Sequence, residues 1–268
     1  MFSAHRSKLY GVYGSMILFI TLMFYGWGCQ KSSTSQEKTS SLVSNTPLKA
    51  SPKKKQPPII GREIILKNMD KIGPSRQVIL VTTQATKIYH SLTMPFEKVK
   101  GKWEKVYPSI VSTIGEGGFA KAGEKMEGDL KTPTGVYPLV LAFGYAKSMD
   151  TRLPYRQATG NDYWVDDPKS RQYNRWVRGK PKARSYELMK REDHQYEYGI
   201  VVGYNMKPVV KGKGSALFFH VWPHKDLPSI GCITMPTEHM IQLLKWLDIR
   251  KKPVVLMGPH DRLLKGPL

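Results

Sequence analysis

The stretch Ser229-Ile230-Gly231-Cys232-Ile233-Thr234-Met235 contains one of the two cysteines of this 268-residue chain. His220 lies twelve residues before Cys232. The other cysteine, Cys29, follows an apolar segment near the amino terminus. A thiol without a disulfide partner in its own chain is prone to unwanted oxidation in an oxidising compartment, so its presence indicates a catalytic role. We predict that Cys232 is a nucleophile and His220 its base. The alternative is a small buried side chain, which is the state of most free cysteines.

The amino terminus predicts export from the cytoplasm. Three basic residues precede twenty uncharged residues, 9–28, and a polar tail follows Cys29. This order is typical of a signal or anchor segment, which we assign to residues 1–29. The Gly-Cys pair at its end resembles a lipoprotein processing site, which predicts lipidation of Cys29. An uncleaved membrane anchor is the alternative, because twenty apolar residues can span a bilayer.

Residues 30–58 are predicted to be a disordered tether, because they are rich in Ser, Lys and Pro and have few large apolar side chains. The remaining residues, 59–268, suffice for one domain with a sizeable core. The formal net charge of +21 favours an anionic partner. Nucleic acid is excluded as that partner by the export segment and by the lack of a nucleic-acid-binding motif. A solvated basic surface is the alternative.

Short apolar or alternating runs bounded by turn residues predict a mainly β fold with short helices, in the α+β class. The predicted strands are residues 77–83, 102–107, 136–142, 200–204, 216–222 and 253–257.

One helix is predicted directly after the cysteine, because Pro236 suits a first turn and Met240, Ile241, Leu244 and Leu247 form an apolar stripe. Its amino terminus and the imidazole are expected to lower the thiol pKa. A second helix is predicted around residues 185–191. It lies within a long aromatic-rich excursion, residues 144–198, that we expect to overhang the site.

Two separated motifs now support a family resemblance. His220 with Ser229-x-Gly231-Cys232, together with Asp129-Leu-Lys-Thr-Pro-Thr-Gly-Val-Tyr-Pro138 upstream, resembles the YkuD-type L,D-transpeptidase catalytic domain family of bacterial cell-wall enzymes. A subgroup with Gly-Phe-Ala near 118, Arg-Leu-Pro-Tyr-Arg near 152 and Trp-Val-Asp-Asp near 164 is more similar still.

The resemblance implies a β-sandwich or mixed-sheet core with one helix following the catalytic cysteine. It also implies that Cys232 attacks a peptidoglycan stem peptide and passes the resulting thioester to an amine acceptor. His220 would be the general base, and the backbone N–H groups of Gly231 and Cys232 would stabilise the oxyanion. Ser229 is predicted either to orient His220 or to cap the turn. Asp129, Thr132 and Gly135 are predicted to shape a turn beneath the site.

The sequence departs from the commoner family pattern at Ile230, where a histidine is usual, and at Thr234, where arginine or asparagine is usual. Substrate carboxylates must then be recognised elsewhere. Arg152 and Arg156 are candidates because guanidinium binds carboxylate bidentately, with an ordinary surface role as the alternative. Trp222 is the third candidate substrate-binding residue.

Three functions remain open on this reading. The first is an L,D-transpeptidase, and the second is a hydrolase on the same scaffold that uses water as acceptor to cleave a stem-peptide or lipoprotein linkage. The third is a non-catalytic peptidoglycan-binding module. His224 lies four residues after His220 and raises the question of zinc, but Pro223 disfavours a helical ligand pair, so no metal and no cofactor is predicted. Peptidoglycan stem peptides, and a lipoprotein acceptor, are the expected partners in the bacterial periplasm.

Overall fold

The computed structural model describes residues 60–83 and 88–266, most of whose regular structure is β-strand. The helices are α1 (Ile60–Lys67), α2 (Met69–Ile72), α3 (Thr237–Trp246), α4 (His260–Leu264) and a 3-10 helix, Ile249–Lys251. The strands are β1 (Gln77–Thr83), β2 (His90–Val99), β3 (Lys102–Lys105), β4 (Ile110–Thr113), β5 (Gly135–Gly144), β6 (Tyr155–Gln157), β7 (Asp162–Val165), β8 (Arg175–Arg178), β9 (Tyr186–Leu188), β10 (Tyr198–Val202), β11 (Phe218–Val221), β12 (Ile233–Met235) and β13 (Val254–Gly258).

Ten strands form one mixed sheet that returns on itself. Its path runs β1-β13-β5-β10-β11-β12-β4-β2, and β2 also pairs with β1. Strand β2 can close the path because it is ten residues long and pairs with neighbours on both sides. The pairs β1–β13, β11–β12 and β5–β6 are parallel. A closed path leaves these eight strands without a free edge, which makes the sheet a rigid support for a site.

Strand β1 shows how the sequence divides the core. Successive side chains on a strand point to opposite faces, and in β1 both faces are apolar. Ile79 and Val81 join the largest hydrophobic cluster, whereas Val78 and Leu80 join a second one against α1 and α4. An uninterrupted apolar run is therefore the expected pattern for this strand.

The predicted fold class is confirmed, and all six predicted strands are present within one or two residues of their expected bounds. The helix after the cysteine is also present as α3, in which Met240 and Leu244 are buried, as is Leu247 immediately after it. It does not follow the cysteine directly, because β12 intervenes and pairs with β11. The second predicted helix is wrong, since residues 186–188 form strand β9.

The excursion between β5 and β10 contains a separate three-stranded sheet, in the order β8-β7-β9. Trp164 and Trp176 on its inner face contact Phe143 and Phe218 of the main sheet in edge-to-face geometry. This contact seats the excursion on a third hydrophobic cluster that includes Cys232. The expected overhang at the site is therefore observed.

The predicted leader and tether, residues 1–29 and 30–58, lie outside the described residues. Within the described part of the chain, no helix is both long enough and apolar enough to cross a bilayer.

Candidate active site

His220 and Cys232 are brought together by two neighbouring parallel strands. In the register of β11 and β12, His220 lies opposite Thr234 and Phe219 lies opposite Ile233. Cys232 comes immediately before β12, two residues from Thr234. Alternation along a strand therefore places the side chains of Cys232, Thr234 and His220 on the same face of the sheet. All three border one cavity.

The loop that delivers Cys232 is fixed by hydrogen bonds in which Ser229 has the central part. The Ser229 hydroxyl donates to the Cys232 carbonyl oxygen (2.6 Å) and accepts from the Gly231 amide (3.0 Å). Ser229 thus caps the turn, and its partners are in the loop and not on His220. Gly231 has φ of +151°, a conformation that favours glycine. Its amide is already used by Ser229, so an oxyanion role would require that hydrogen bond to break.

The Thr-Pro-Thr-Gly segment supports the same loop from below, as predicted. The Thr132 hydroxyl donates to the Gly231 carbonyl oxygen (2.6 Å) and accepts from the Gly115 amide (3.0 Å). Asp129 accepts from the amides of Met126 and Lys131, which closes the preceding turn. These residues therefore position the nucleophile loop and do not reach the cavity as reacting groups.

The Cys232 thiol is buried and donates to the carbonyl oxygen of Ala216 (3.3 Å). Burial raises the pKa of the thiol well above its ordinary value, and the negative charge of Glu187 raises it further. The predicted lowering of the thiol pKa is therefore wrong. Its physical reason is that a strand, and not a helix amino terminus, follows the cysteine in an apolar surrounding. In the resting protein Cys232 is a protonated thiol.

His220 is held as a neutral base. Its Nδ1 lies 2.8 Å from the carbonyl oxygen of Val221, which can only accept, so Nδ1 carries the proton and Nε2 has a free lone pair. Burial lowers the pKa of His220 to about 4. The ring packs edge-on against Tyr196, with centroids 4.9 Å apart. At neutral pH the imidazole is thus unprotonated at Nε2 and can act as a proton acceptor in the cavity that Cys232 also borders.

The excursion contributes an acidic pair that the sequence did not predict. Asp166 and Glu187 border the space around Cys232, and the Tyr196 hydroxyl donates to Glu187. Burial raises the pKa of Glu187 to about 7, and the nearby charge of Asp166 adds to this rise. Burial also raises the pKa of Asp166, whose Oδ1 is buried without a hydrogen-bond partner in the described structure.

Two cavities meet at Cys232. The larger, of about 390 Å³, is bordered by His220, Thr234 and Arg191. The smaller, of about 130 Å³, is bordered by Lys125 and lies on the Gly231 side of the thiol. Four residues border both cavities: Asp166, Glu187, Ile230 and Cys232. The exposed side chain of Ile230, 72% accessible, stands at this shared rim.

The predicted substrate-binding residues do not line either cavity. Arg152 pairs with the buried carboxylate of Asp248 (3.1 Å), and Arg156 pairs with the buried carboxylate of Asp162 (3.1 Å). Both arginines thus neutralise structural carboxylates outside the two cavities, and their assignment to substrate binding stays a prediction. Trp222 lies just after β11, where its amide donates to the Met235 carbonyl oxygen, and its side chain borders neither cavity.

Two other cations border the cavities. Arg191 borders the larger cavity, stacks over the Tyr196 ring at 5.2 Å and pairs with Asp193. Lys125 borders the smaller cavity and is buried, with its ammonium on Asp129 at 2.6 Å. The quoted Trp-Val-Asp-Asp motif already contained Asp166, which was the available signal. Glu187 and Arg191 had no signal, because they fall in the segment misread as a helix.

The alternative metal reading depended on His224, which is exposed and accepts from the Asp226 amide at 3.3 Å. Within residues 60–83 and 88–266, no group of three His, Cys, Asp or Glu side chains is placed to hold a metal ion. The observed arrangement is a thiol, a neutral imidazole and two adjoining cavities. A thiol and a neutral imidazole that border one cavity are suited to nucleophilic chemistry on a bound substrate.

Comparison with solved structures finds two proteins of low sequence identity. Bd1075 of Bdellovibrio bacteriovorus is 14% identical with a TM-score of 0.38, over 75% of this chain and 57% of that one. The helical cell shape determining protein Pgp2 from Campylobacter jejuni is 16% identical with a TM-score of 0.35, over 75% of this chain and 55% of that one. This chain therefore spans little more than half the length of each.

No curated protein matches the chain. The family model for YkuD, the L,D-transpeptidase catalytic domain, matches residues 86–256, which include both sequence motifs, His220 and Cys232. Because the match covers more than half of the chain, this protein belongs to the YkuD L,D-transpeptidase catalytic domain family.

Proposed function

We propose that this protein is a cysteine-dependent peptidoglycan L,D-transpeptidase that forms a thioester with a stem peptide and transfers it to an amine. The observation that carries this proposal is the position of Cys232 on both cavities. A transferase must hold an acyl donor and a second substrate beside one nucleophile. A single enclosed pocket would serve only the donor.

The first half-reaction begins from the neutral thiol of Cys232 and the neutral imidazole of His220. The thiol turns from the Ala216 carbonyl, His220 Nε2 removes its proton, and Sγ attacks the carbonyl carbon of the stem-peptide bond. The carbon–nitrogen bond then breaks, and the leaving amine takes the proton from the imidazolium. The product is a thioester on Cys232. We assign the Cys232 backbone N–H to the oxyanion, because the Gly231 amide is held by Ser229.

The second half-reaction repeats these steps in reverse. The acceptor amine gives its proton to His220 Nε2 and attacks the thioester carbon, and Cys232 leaves as a thiolate that recovers the proton. Since His220 borders only the larger cavity, that cavity holds the leaving group and then the acceptor. The smaller cavity then receives the side chain of the residue that becomes the acyl group.

The charges of the two cavities fit a zwitterionic peptide. Stem peptides carry both carboxylates and amines, and each cavity offers one cation, Arg191 in the larger and Lys125 in the smaller. Asp166 and Glu187, shared by both, offer the complementary carboxylates. Guanidinium and ammonium groups bind carboxylates through charge-assisted hydrogen bonds, which are the strong ones in a partly buried site.

The proposed location follows from the sequence of residues 1–29. We propose that this segment directs the protein to the bacterial cell envelope and holds it at a membrane, through an uncleaved anchor or lipidated Cys29. The substrate polymer lies in the same compartment. A wall-linked lipoprotein is a second amine donor or acceptor of suitable chemistry.

The test is product analysis with one defined substrate. The full-length protein is incubated with a disaccharide that bears a tetrapeptide stem, and the products are separated and weighed by mass spectrometry. A cross-linked dimer that has lost one fourth-position amino acid is the expected product. The Cys232→Ala variant serves as the control and must give none.

A different product would redirect the proposal. Release of the fourth amino acid with a free tripeptide stem, and no dimer, would show that water is the acceptor and that the protein is a hydrolase. Unchanged substrate, with retained binding to the polymer, would favour the non-catalytic module.

A further inference from the structure

The outer face of the three-stranded sheet carries aromatic and aliphatic side chains that the described part of the chain leaves partly exposed, although Val165 on the same face is buried. Pairing in the sheet places Tyr163 beside Val177 and Leu188, and Tyr186 lies beside the strand residue Val165. We call the surface formed by Tyr163, Val177, Tyr186 and Leu188 the tyrosine face. None of these four packs against the three hydrophobic clusters of the described structure. Leu188 is 46% exposed.

The two tyrosines of this face are arranged as a rigid pair. Their rings are 5.1 Å apart in edge-to-face geometry, and both are partly exposed. Such rings provide apolar contact area at a small cost in conformational entropy. Alternation along the strands turns Trp164, Trp176 and Glu187 to the opposite face, towards the main sheet and Cys232. The tyrosine face is therefore not needed to build the cleft.

The sequence around this face is strongly basic. Residues 168–191 contain nine Lys or Arg and one acidic residue, Glu187, which borders the cavities on the other side. Arg175 pairs in register with Val165 on the outer face, and Lys180 and Lys182 lie in the loop from β8 to β9. These three side chains are exposed and make no ion pair with another described residue. Their charges are available to a partner.

The positive charge around the tyrosine face limits which partner can bind there. Residues 30–58 contain six lysines and one glutamate, so the chain's own amino-terminal part has the wrong sign, and so does a second copy of the same face. The partner must be anionic, and it must offer flat apolar surfaces to the tyrosine rings. A glycan with carboxylate-bearing branches meets both requirements, because sugar rings present C–H faces and the carboxylates suit Arg and Lys.

The position of β9 joins this face to the active site. Strand β9 is an edge strand of three residues, and its central residue, Glu187, borders the cavities while Tyr186 and Leu188 belong to the tyrosine face. A polymer on the outer face is thus only one strand away from the cleft. A peptide branch can pass over this edge to Cys232.

We propose that the tyrosine face and its basic loop bind the polymeric substrate, a glycan strand that carries stem-peptide carboxylates. The identity of the polymer rests on the proposed function; the binding surface does not. In this arrangement the surface holds the glycan while the two cavities receive the peptide. The surface should affect action on the insoluble polymer and leave small soluble substrates unaffected.

The test is co-sedimentation with insoluble peptidoglycan, using full-length protein with Cys232→Ser so that the polymer is not consumed. Two double variants are compared, Tyr163→Ser with Tyr186→Ser and Lys180→Gln with Lys182→Gln. The matched control is Lys100→Gln with Lys102→Gln, which removes two exposed lysines from the distant β2–β3 hairpin. We expect each double variant to raise the apparent Kd by about fivefold or more and the control to leave it unchanged.

The same substitutions with Cys232 restored should keep turnover of a soluble disaccharide peptide within about twofold of wild type. An equal loss of binding in the hairpin control would overturn the proposal in favour of nonspecific charge. Binding to phosphatidylglycerol vesicles that the double variants lose, with peptidoglycan binding retained, would assign the surface to lipid instead. Loss of soluble turnover would show that the face only supports the cleft. The binding result stands even if the protein turns over no stem peptide.

Discussion

The main sheet and the excursion supply different halves of the site. The closed sheet supplies the proposed reacting groups, His220 on β11 and Cys232 before β12, in an apolar surrounding with fixed backbone partners. The excursion supplies the groups around them, Asp166 and Glu187, on a small sheet that is seated by tryptophans. The first region sets what chemistry is done, and the second sets the charge that a substrate meets.

The two regions are also stabilised differently. Strands β11 and β12 lie in the interior of the main sheet, where each has a neighbour on both sides. The excursion depends on buried polar groups, above all Asp162, which accepts hydrogen bonds from Trp176 Nε1 (2.9 Å) and Arg156 (3.1 Å). Asp167 similarly accepts from the amides of Lys169 and Arg184. Substitutions in the main sheet should therefore change mainly turnover, and substitutions in the excursion mainly stability or thiol reactivity.

The largest effect is expected from the main sheet. Cys232→Ala should lower stem-peptide turnover by at least about 10⁴-fold, because no other group can form the thioester. The fold should persist, since alanine fits a buried position that holds a small side chain. Turnover and thermal unfolding, measured on the same preparation, check the loss of activity and the retained fold. Turnover within about tenfold of wild type by a folded variant would remove Cys232 from the mechanism.

The second effect concerns the base on the neighbouring strand. His220→Ala should lower kcat/KM by about 10²–10⁴-fold, the usual worth of a positioned general base. The exposed His224 provides the control, and His224→Ala should keep wild-type kcat/KM. Equal losses in the two variants would contradict the assignment of the base to His220.

The pH profile of the wild-type protein sharpens this assignment. Burial lowers the pKa of His220 to about 4, so the imidazole stays unprotonated and able to accept a proton down to that pH. On the acid side, kcat/KM should therefore fall only as the pH approaches about 4, and not near the ordinary value of 6.5. An acid limb near 6.5 would mean that His220 is solvated in the working protein.

The third effect tests how the excursion is held. Burial opposes ionisation of Asp162, but hydrogen bonds from Thr159, Trp176 and Arg178 outweigh it and hold the pKa of this carboxyl below its ordinary value. Asp162→Ala leaves these donors unpaired, and we expect a loss of about 2–4 kcal/mol in the free energy of unfolding. Chemical denaturation measures it, with the exposed Asp150→Ala as control.

The sign of the pH dependence follows from the same shift. A carboxyl whose folded pKa lies below the unfolded value contributes stability above the unfolded pKa of about 3.9, and that contribution is lost as the pH falls further. The stability difference between wild type and Asp162→Ala should thus shrink below about pH 4. A difference that is constant from neutral to acid pH would mean that packing, and not the charge network, is lost.

The sequence predicted the main sheet better than the excursion, for a physical reason. Uninterrupted apolar runs such as β1 indicate buried strands, and the motif around Cys232 is local, so both can be read from neighbouring residues. The turn beneath the site was also predictable, and Thr132 does contact the Gly231 carbonyl. These features depend on short stretches of chain and on few tertiary contacts.

The excursion and the electrostatics were not predictable in this way. Strand pairing with β7 places Glu187 at the cavities that Cys232 borders, and β9 has only three residues, too few for a periodic signal. The thiol pKa was predicted with the wrong sign because burial is a property of the folded surroundings. The ion pairs of Arg152 and Arg156 were not predicted, because the buried aspartates that bind them are distant or unmarked in sequence.

The smallest effect tests the electrostatic coupling between Glu187 of the excursion and Cys232 of the main sheet. Glu187 contributes to the raised pKa of the Cys232 thiol, and its own pKa is raised to about 7 by burial. Glu187→Gln keeps an oxygen that can accept from the Tyr196 hydroxyl but carries no charge. The thiol should therefore ionise more readily in the variant, and only where Glu187 is charged in wild type.

Alkylation of Cys232 by iodoacetamide measures this difference, since the thiolate is the reacting form. Well below pH 7 Glu187 is protonated in wild type, so the rates of variant and wild type should agree. Above that pH the variant should react faster, reaching a ratio of about three to ten, which corresponds to a thiol pKa change of up to one unit. Glu192→Gln, an exposed carboxyl in the same excursion, should give a ratio of one throughout. A Glu187→Gln ratio that does not change with pH would mean that the carboxylate acts on Cys232 through packing alone, and the excursion would then set only the shape of the cleft.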